Sequence, residues 1–79
     1  MNKEMYAVRD SVSGVFNNPY HQINEKVAIR TFREACNNVA EIKDHAEDME
    51  LYFVGTYNDE TGVFLTDTRL IEKGVKNNV

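Results

Sequence analysis

One pattern of hydrophobic and polar positions occurs twice along the chain. An apolar and aromatic run at residues 5–8 precedes a polar stretch and Gly14-Val15-Phe16. A second run at residues 51–54 precedes another polar stretch and Gly62-Val63-Phe64. An apolar strand, polar turn residues and a late glycine are typical of a β-hairpin. The pattern therefore predicts two hairpins, one in each half of the chain.

The boundaries of the hairpins are set by the turn residues. We expect the first strand at residues 4–9 and a return strand that begins at Val15 and stops at Asn17-Asn18-Pro19, because proline has no N–H to donate to a sheet. Residues 19–22 are expected to form a loop. The second hairpin is expected to have strands at 51–57 and 63–66. The tail after residue 66 is expected to stay loose, or to add a short edge strand or a helical turn.

The region between the hairpins carries one helical pattern. Asn24 is a plausible N-cap, and Glu25 is well placed for the positive end of a helix dipole. Apolar residues then recur at steps of three and four, which predicts an amphipathic helix over residues 25–38. The stripe comprises Ala28, Ile29, Phe32, Ala35, Cys36 and Val39. The acidic stretch 40–50 is expected to be irregular, with a short exposed helix as the alternative.

These elements predict an α+β fold of the order ββαββ, with a small antiparallel sheet and the helix packed on one face. We expect a single domain, 1–79, with an ordered core at about 4–66 and a tail at 67–79. One helix covers only one face of a sheet, whereas the second hairpin is apolar on both faces. A homodimer is therefore expected to cover the surplus apolar face.

The composition limits the classes of protein to consider. The chain has 79 residues, of which 42% are hydrophobic and 28% charged, as in an ordinary folded domain. Its single cysteine, Cys36, forms no internal disulfide, which suits a reducing cytoplasm. The first residues contain no apolar run, and no stretch is long enough to span a bilayer. We expect a cytoplasmic protein with no membrane partner.

The residues with catalytic potential do not form a recognisable site. His21 and His45 lack a metal-binding spacing, and Cys36 falls on the apolar stripe, where core packing is the simpler role. The acidic cluster at 44–50 lacks the spacing of a calcium loop, so a solvated surface is the simpler interpretation. We expect a non-enzymatic protein without a metal or cofactor.

Charge is distributed unevenly along the chain. The net charge is −4, and residues 1–40 hold five basic against four acidic residues, whereas 41–79 hold four against nine. Lys26, Arg30 and Arg33 follow one another at helical spacing along one edge of the predicted helix, where they would meet successive phosphates. Tyr20 and His21 precede the helix and would stack on unpaired bases. The alternative is an ordinary polar helix face whose arginines pair with nearby acids.

Three blocks of sequence resemble a known phage family. The opening strand with Gly14-Val15-Phe16 and Pro19-Tyr20 is similar to its N-terminus, and residues 24–32 (NEKVAIRTF) are similar to its Asn-x-x-x-Ala-x-Arg-x-Phe helix. Residues 46–62 are similar to its Pro-Glu-Asp-x-x-Leu-Tyr-x-x-Gly and Asp-Asp-x-Thr-Gly block, with Ala46 in place of proline. The family is the small nonstructural protein of gokushoviruses, single-stranded-DNA phages of the Microviridae.

The resemblance implies a phage protein that acts in genome replication in the bacterial cytoplasm and is absent from the virion. It implies DNA binding and places Arg30 on the family's arginine position, while Lys26 and Arg33 rest on helical spacing alone. The expected function is binding of single-stranded DNA without sequence specificity. The alternative is a protein–protein regulator that docks a phage or host replication protein through the acidic segment, residues 41–50, and the apolar hairpin face.

Overall fold

The computed structural model describes residues 1–75. Five strands, two helices and a 3₁₀ turn follow one another along the chain. They are β1 (Asn2–Asp10), β2 (Val15–Phe16), β3 (Tyr20–Gln22), α1 (Glu25–Asn38), α2 (Ala40–Lys43), the 3₁₀ turn (Ala46–Asp48), β4 (Met49–Asn58) and β5 (Phe64–Lys73).

A five-stranded antiparallel sheet forms the body of the fold. Its strand order is β2-β1-β4-β5, and β3 also pairs with β1. Because β4 pairs with β1 from end to end, β2 and β3 share the opposite edge of β1. Helix α1 therefore connects β3 on one side of β1 to β4 on the other side.

The gap between β2 and β3 is bridged by one asparagine. The Asn17 N–H donates to the Val8 carbonyl at 2.8 Å, and the Asn17 side-chain oxygen accepts from the Val8 N–H at 2.7 Å. A side chain thus replaces the backbone acceptor that the interrupted strand does not supply. Pro19 lies in the same gap, where its missing N–H leaves no ladder position unfilled.

Helix α1 begins and ends at the predicted residues. The Asn24 side chain accepts a hydrogen bond from the Val27 N–H at 2.9 Å, and Glu25 lies in the first turn. The helix ends at Asn38 because Val39 turns to an extended conformation. Its buried residues are Ala28, Phe32 and Cys36, spaced four apart, so the predicted apolar stripe faces the sheet.

The hydrophobic core lies between α1 and one face of the sheet. The rings of Tyr6 and Phe53 meet edge to face with centroids 5.5 Å apart, beside the fully buried Leu51. The Tyr6 hydroxyl donates to Glu4 at 3.0 Å, so the one polar atom of this ring is satisfied. The core comprises Tyr6, Ala28, Phe32, Cys36, Ala46, Leu51 and Phe53.

Strand β4 contains an irregularity at Gly55. The register with β1 steps from Tyr6–Phe53 to Met5–Gly55, so β4 holds one extra residue there. Gly55 has a φ of +146°, and a Cβ at this position would lie 2.2 Å from the Leu65 carbonyl oxygen. Backbone of β5 thus approaches so closely that a side chain larger than glycine does not fit.

The predicted fold class is confirmed, with one main helix on one face of an antiparallel sheet. Three local predictions were wrong. Tyr20–Gln22 forms β3 rather than a loop, because β1 offers it a partner edge. Residues 40–50 contain α2 and the 3₁₀ turn, which pack Ile42 and Ala46 on the core.

The third correction concerns the segment after Thr66. The second return strand does not end there but continues to Lys73, because β4 is long enough to pair with it. The predicted tail at 67–79 is therefore strand up to residue 73. Residues 76–79 of that tail lie outside the described residues.

Candidate nucleic-acid interface

The predicted row of cations is present on α1. Lys26, Arg30 and Arg33 are all exposed and line one shallow groove of about 410 Å³, which Asn37 extends. The helix brings them together because positions three and four apart lie on the same side. The structure thus places three of the predicted site residues on one surface, the helix edge.

One of the three cationic side chains, Arg33, already forms an ion pair with a carboxylate. Two nitrogens of the Arg33 guanidinium donate to the two Glu72 oxygens, each at 2.7 Å. This two-point contact raises the pKa of Arg33 above its ordinary value. Within residues 1–75, Lys26 and Arg30 have no such ion pair. The helix edge therefore offers two unpaired cations for a phosphate rather than three.

The other two predicted site residues are separated by the strand that holds them. Tyr20 lies opposite Tyr6 and packs against the core, where burial raises the pKa of its hydroxyl. His21 points to the other face of β3 and is exposed, with Nδ1 3.1 Å from the Glu4 carbonyl oxygen. Because neighbouring strand residues face opposite ways, the two rings do not form one stacking surface.

The side of the sheet away from α1 carries a second candidate surface. Directly opposite residues in antiparallel strands share a face, and Ala7 lies opposite Tyr52, which lies opposite Leu70. Phe16 joins them, since its ring meets Tyr52 edge to face with centroids 5.0 Å apart. Phe16 is 40% exposed and Leu70 is 44% exposed, whereas Tyr52 is half-buried and Ala7 is buried. We call this surface, with Ala7, Phe16, Tyr52 and Leu70 at its centre, the open face.

A second aromatic pair lies farther along the same face. Lys3 is opposite Tyr57, and Tyr57 is opposite Phe64, with ring centroids 6.4 Å apart. The alternation of β1 puts Lys3 on the same side as Ala7, so both aromatic pairs share the open face. The Lys3 ammonium lies 3.7 Å from an Asp59 oxygen in the adjoining turn.

Positive charge borders the first aromatic pair. Arg9 lies opposite both Phe16 and Glu50, with its guanidinium 5.9 Å from the Phe16 ring centre and 2.9 Å from a Glu50 oxygen. Lys73 lies opposite Glu50 on the other side. One carboxylate thus stands between two cations, and His21 adds an imidazole ring to this face.

Most of the acidic residues lie elsewhere. Among the strand residues that the structure describes, the register places one carboxylate, Glu50, on the open face. The acidic segment packs on the core through Ile42 and Ala46, which puts it on the helix side of the sheet. The negative net charge of the chain therefore does not extend over the open face.

The helix edge was predicted from the sequence as a nucleic-acid surface, whereas the apolar hairpin face was predicted only as a surface for protein partners. The one local signal was that the second hairpin is apolar on both faces, which predicted a surplus apolar face. Arg9 lies opposite Phe16 because β1 pairs with β2, and Lys73 lies opposite Glu50 because β5 pairs with β4. These contacts depend on strand pairing, which residue spacing does not reveal.

Other kinds of site have little support in the described part of the chain. Residues 1–75 contain no group of three His, Cys, Asp or Glu side chains arranged to hold a metal. Cys36 is buried, and burial raises the pKa of its thiol, which disfavours the reactive thiolate. Neither described helix has the length and apolarity that crossing a bilayer requires.

A sequence model of the family described as Phage ORF5 protein matches residues 3–77, nearly the full chain. No curated protein and no solved structure matches the chain.

Proposed function

The chain belongs to the Phage ORF5 protein family, and from this premise we propose that it binds single-stranded DNA during replication of a phage genome. The phage is a gokushovirus in this proposal, which rests on the sequence resemblance. The protein acts in the bacterial cytoplasm, outside the virion, and has no enzymatic activity of its own. Binding is independent of base sequence.

The open face is the observation that carries this proposal. Proteins that bind single strands without sequence preference combine aromatic rings, on which bases stack, with cations that follow the backbone. Phe16 supplies exposed ring surface and Tyr52 half-buried ring surface on the sheet, and Lys73 and Arg9, which is paired with Glu50, border them. No part of this arrangement resembles a set of donors and acceptors aimed at base edges, which accounts for the absence of sequence preference.

The helix edge is a second candidate surface for phosphates. Lys26 and Arg30 are exposed and line the groove along α1. Arg33 belongs to the same row, but its contact with Glu72 must break before it meets a phosphate. The helix edge and the open face lie on opposite sides of the sheet, so substitutions on each side separate their contributions.

The test is a titration of a fluorescent single-stranded oligonucleotide at low salt, followed by anisotropy. We expect Tyr52→Ala to weaken binding about tenfold, since one stacked base contributes roughly 1–3 kcal/mol. Tyr52→Phe should retain most of the affinity because it keeps the ring. Ile23→Ala is the matched control, since Ile23 is 71% exposed and lies outside the strands.

Salt dependence distinguishes the two surfaces. Each lost phosphate contact should flatten the slope of log K against log salt by about 0.7. We expect that flattening for Lys73→Ala if the open face binds the backbone, and for Arg30→Ala if the helix edge does. Tyr52→Ala should leave the slope unchanged because a ring carries no charge. Wild-type protein that fails to bind at low salt would overturn the proposal.

The rival function is a protein–protein regulator. The exposed carboxylates of Glu41, Asp44 and Glu47 on the helix side favour it, since they suit a basic replication protein. In that case Glu47→Gln should abolish capture of the partner. If DNA is the ligand, Glu47→Gln should leave DNA binding unchanged or strengthen it by removing repulsion.

A further inference from the structure

Strand β5 has a long free edge. It spans Phe64–Lys73 and pairs with β4 on one side, and within residues 1–75 no strand pairs with its other side. Most of its residues are exposed, and it contains no proline. A free edge presents unpaired N–H and C=O groups, which a strand from another chain can use.

We propose that β5 pairs antiparallel with β5 of a second copy of the chain, with Thr68 opposite Thr68. The side chains on either side of Thr68 have opposite charges. In this register Asp67 of each copy lies opposite Arg69 of the other, so the symmetry produces two cross-strand pairs of opposite charge. Asp67 is available for this contact because its side chain is 71% exposed.

Neighbouring symmetric registers are less favourable. Moving the centre by one residue places Asp67 opposite Asp67, or Arg69 opposite Arg69. Like charges directly opposite one another destabilise a strand pair, whereas opposite charges stabilise it. The Thr68-centred register also places Thr66 opposite Leu70, so the 44%-exposed Leu70 gains a neighbour. Among these three symmetric registers, the charges therefore favour the one centred on Thr68.

Arg69 already contacts groups within its own chain. Its guanidinium lies 4.7 Å from the Phe53 ring centre, 3.7 Å from Glu25 and 3.9 Å from Asp67. The longer ion contacts leave donors of the guanidinium free for a closer carboxylate. Asp67 of the second copy would occupy that position without displacing Arg69 from Phe53.

The geometry of the pair sets the arrangement of the two sheets. Because identical residues lie opposite one another, the symmetry axis stands perpendicular to the sheet, and both α1 helices lie on the same side. The two open faces then form one continuous surface. The pairing depends only on β5, so it does not require that the protein binds DNA.

Cysteine cross-linking tests the register. Directly opposite residues in antiparallel strands have Cα atoms about 4.5–5.5 Å apart, within the range of a disulfide. Thr68→Cys should therefore form a disulfide-linked dimer under mild oxidation. Thr66→Cys is the matched control, because two copies of residue 66 would stand roughly 13 Å apart, four residues along the strand. Wild-type protein controls for Cys36, which is buried.

A charge exchange tests the pairing without cysteine. Asp67→Arg places two cations opposite each other at both symmetric positions and should weaken the dimer about tenfold in sedimentation velocity. The double variant Asp67→Arg, Arg69→Asp restores opposite charges and should recover much of the affinity. Circular dichroism melts of both variants check that the monomer still folds.

Three results would overturn the proposal. The first is wild-type protein that stays monomeric at high micromolar concentration. The second is a cross-link by Thr66→Cys with none by Thr68→Cys, which would reject the register. The third is a dimer that survives Asp67→Arg but dissociates on Leu70→Lys and Tyr52→Ala, because the open face would then be the interface.

Discussion

The two hairpins have turns of the same construction. In the first, the Gly14 N–H donates to the Asp10 carbonyl at 2.8 Å, and the Asp10 side chain accepts from the N–H two residues later at 2.9 Å. In the second, the Gly62 N–H donates to the Asn58 carbonyl at 2.8 Å, and the Asn58 side-chain oxygen accepts from the Glu60 N–H at 2.9 Å. Both glycines have a φ of +75°. Residues that are far apart in the sequence thus build one local structure twice.

The return strands that leave these turns are very different. Strand β2 has two residues, whereas β5 has ten. The first return strand is stopped by Asn17-Asn18-Pro19, after which the chain rejoins β1 as β3. The second return strand contains no proline and no glycine before Gly74. The turn is therefore a local property, while strand length depends on the residues beyond the turn and on the edge available to pair with them.

The largest expected effect comes from truncating Phe32, a core residue between α1 and the sheet that both hairpins form. Phe32→Ala deletes a buried ring between α1 and the sheet and should lower the free energy of unfolding by roughly 3–5 kcal/mol. Urea denaturation measures the loss, with Ile23→Ala as the exposed control. A loss no larger than that of the control would contradict the assigned helix face.

A change at Gly55 should break the second hairpin and spare the first. Gly55→Ala introduces a Cβ 2.2 Å from the Leu65 carbonyl oxygen and 2.7 Å from the Phe64 ring, at a φ of +146°. We expect a loss of about 2–4 kcal/mol, from backbone strain and displaced β5. Relative to the wild-type protein, amide hydrogen exchange should accelerate more in β5 than at Val15–Phe16. Equal acceleration in both hairpins would show that they do not respond separately.

The smallest expected effects come from substituting the two turn glycines, which tests whether the two turns are equivalent. Gly14→Ala and Gly62→Ala each place a side chain at a φ of +75°, which costs roughly 1–2 kcal/mol. A Cβ at Gly62 meets nothing within 4 Å, and one at Gly14 meets only the Arg9 guanidinium at 3.7 Å. Thermal melts should therefore show nearly equal losses. A twofold difference would mean that the turns are not equivalent.

The parts of the fold that depend on local chemistry were predicted well from the sequence. Helix α1 was predicted to the residue, because Asn24 caps it and the apolar stripe lies within the helix itself. The two hairpin turns with a late glycine were also predicted, from turn residues alone, and both glycines have a positive φ. The extent of β5 was underestimated, because residues 67–73 become a strand only by pairing with β4.

The same distinction applies to the candidate site. The row of Lys26, Arg30 and Arg33 was predictable from helical spacing. The contact between Arg33 and Glu72 spans 39 residues, and no spacing rule indicates it. The separation of Tyr20 from His21 was missed for a related reason. A loop would have left both rings free, whereas pairing with β1 turns one of them toward the core.

The central position of β1 has a consequence for how the protein folds during synthesis. Strand β1 ends at Asp10, and its main partner β4 begins only at Met49. Ribosomes add about 5–20 residues per second, so an emerging β1 waits on the order of seconds for β4. The pairings with β2 and β3, of two and three residues, are too short to form a stable sheet with β1 before β4 emerges. We therefore expect folding to be limited by the late, long-range pairing of β1 with β4 and to be slow for a domain of this size.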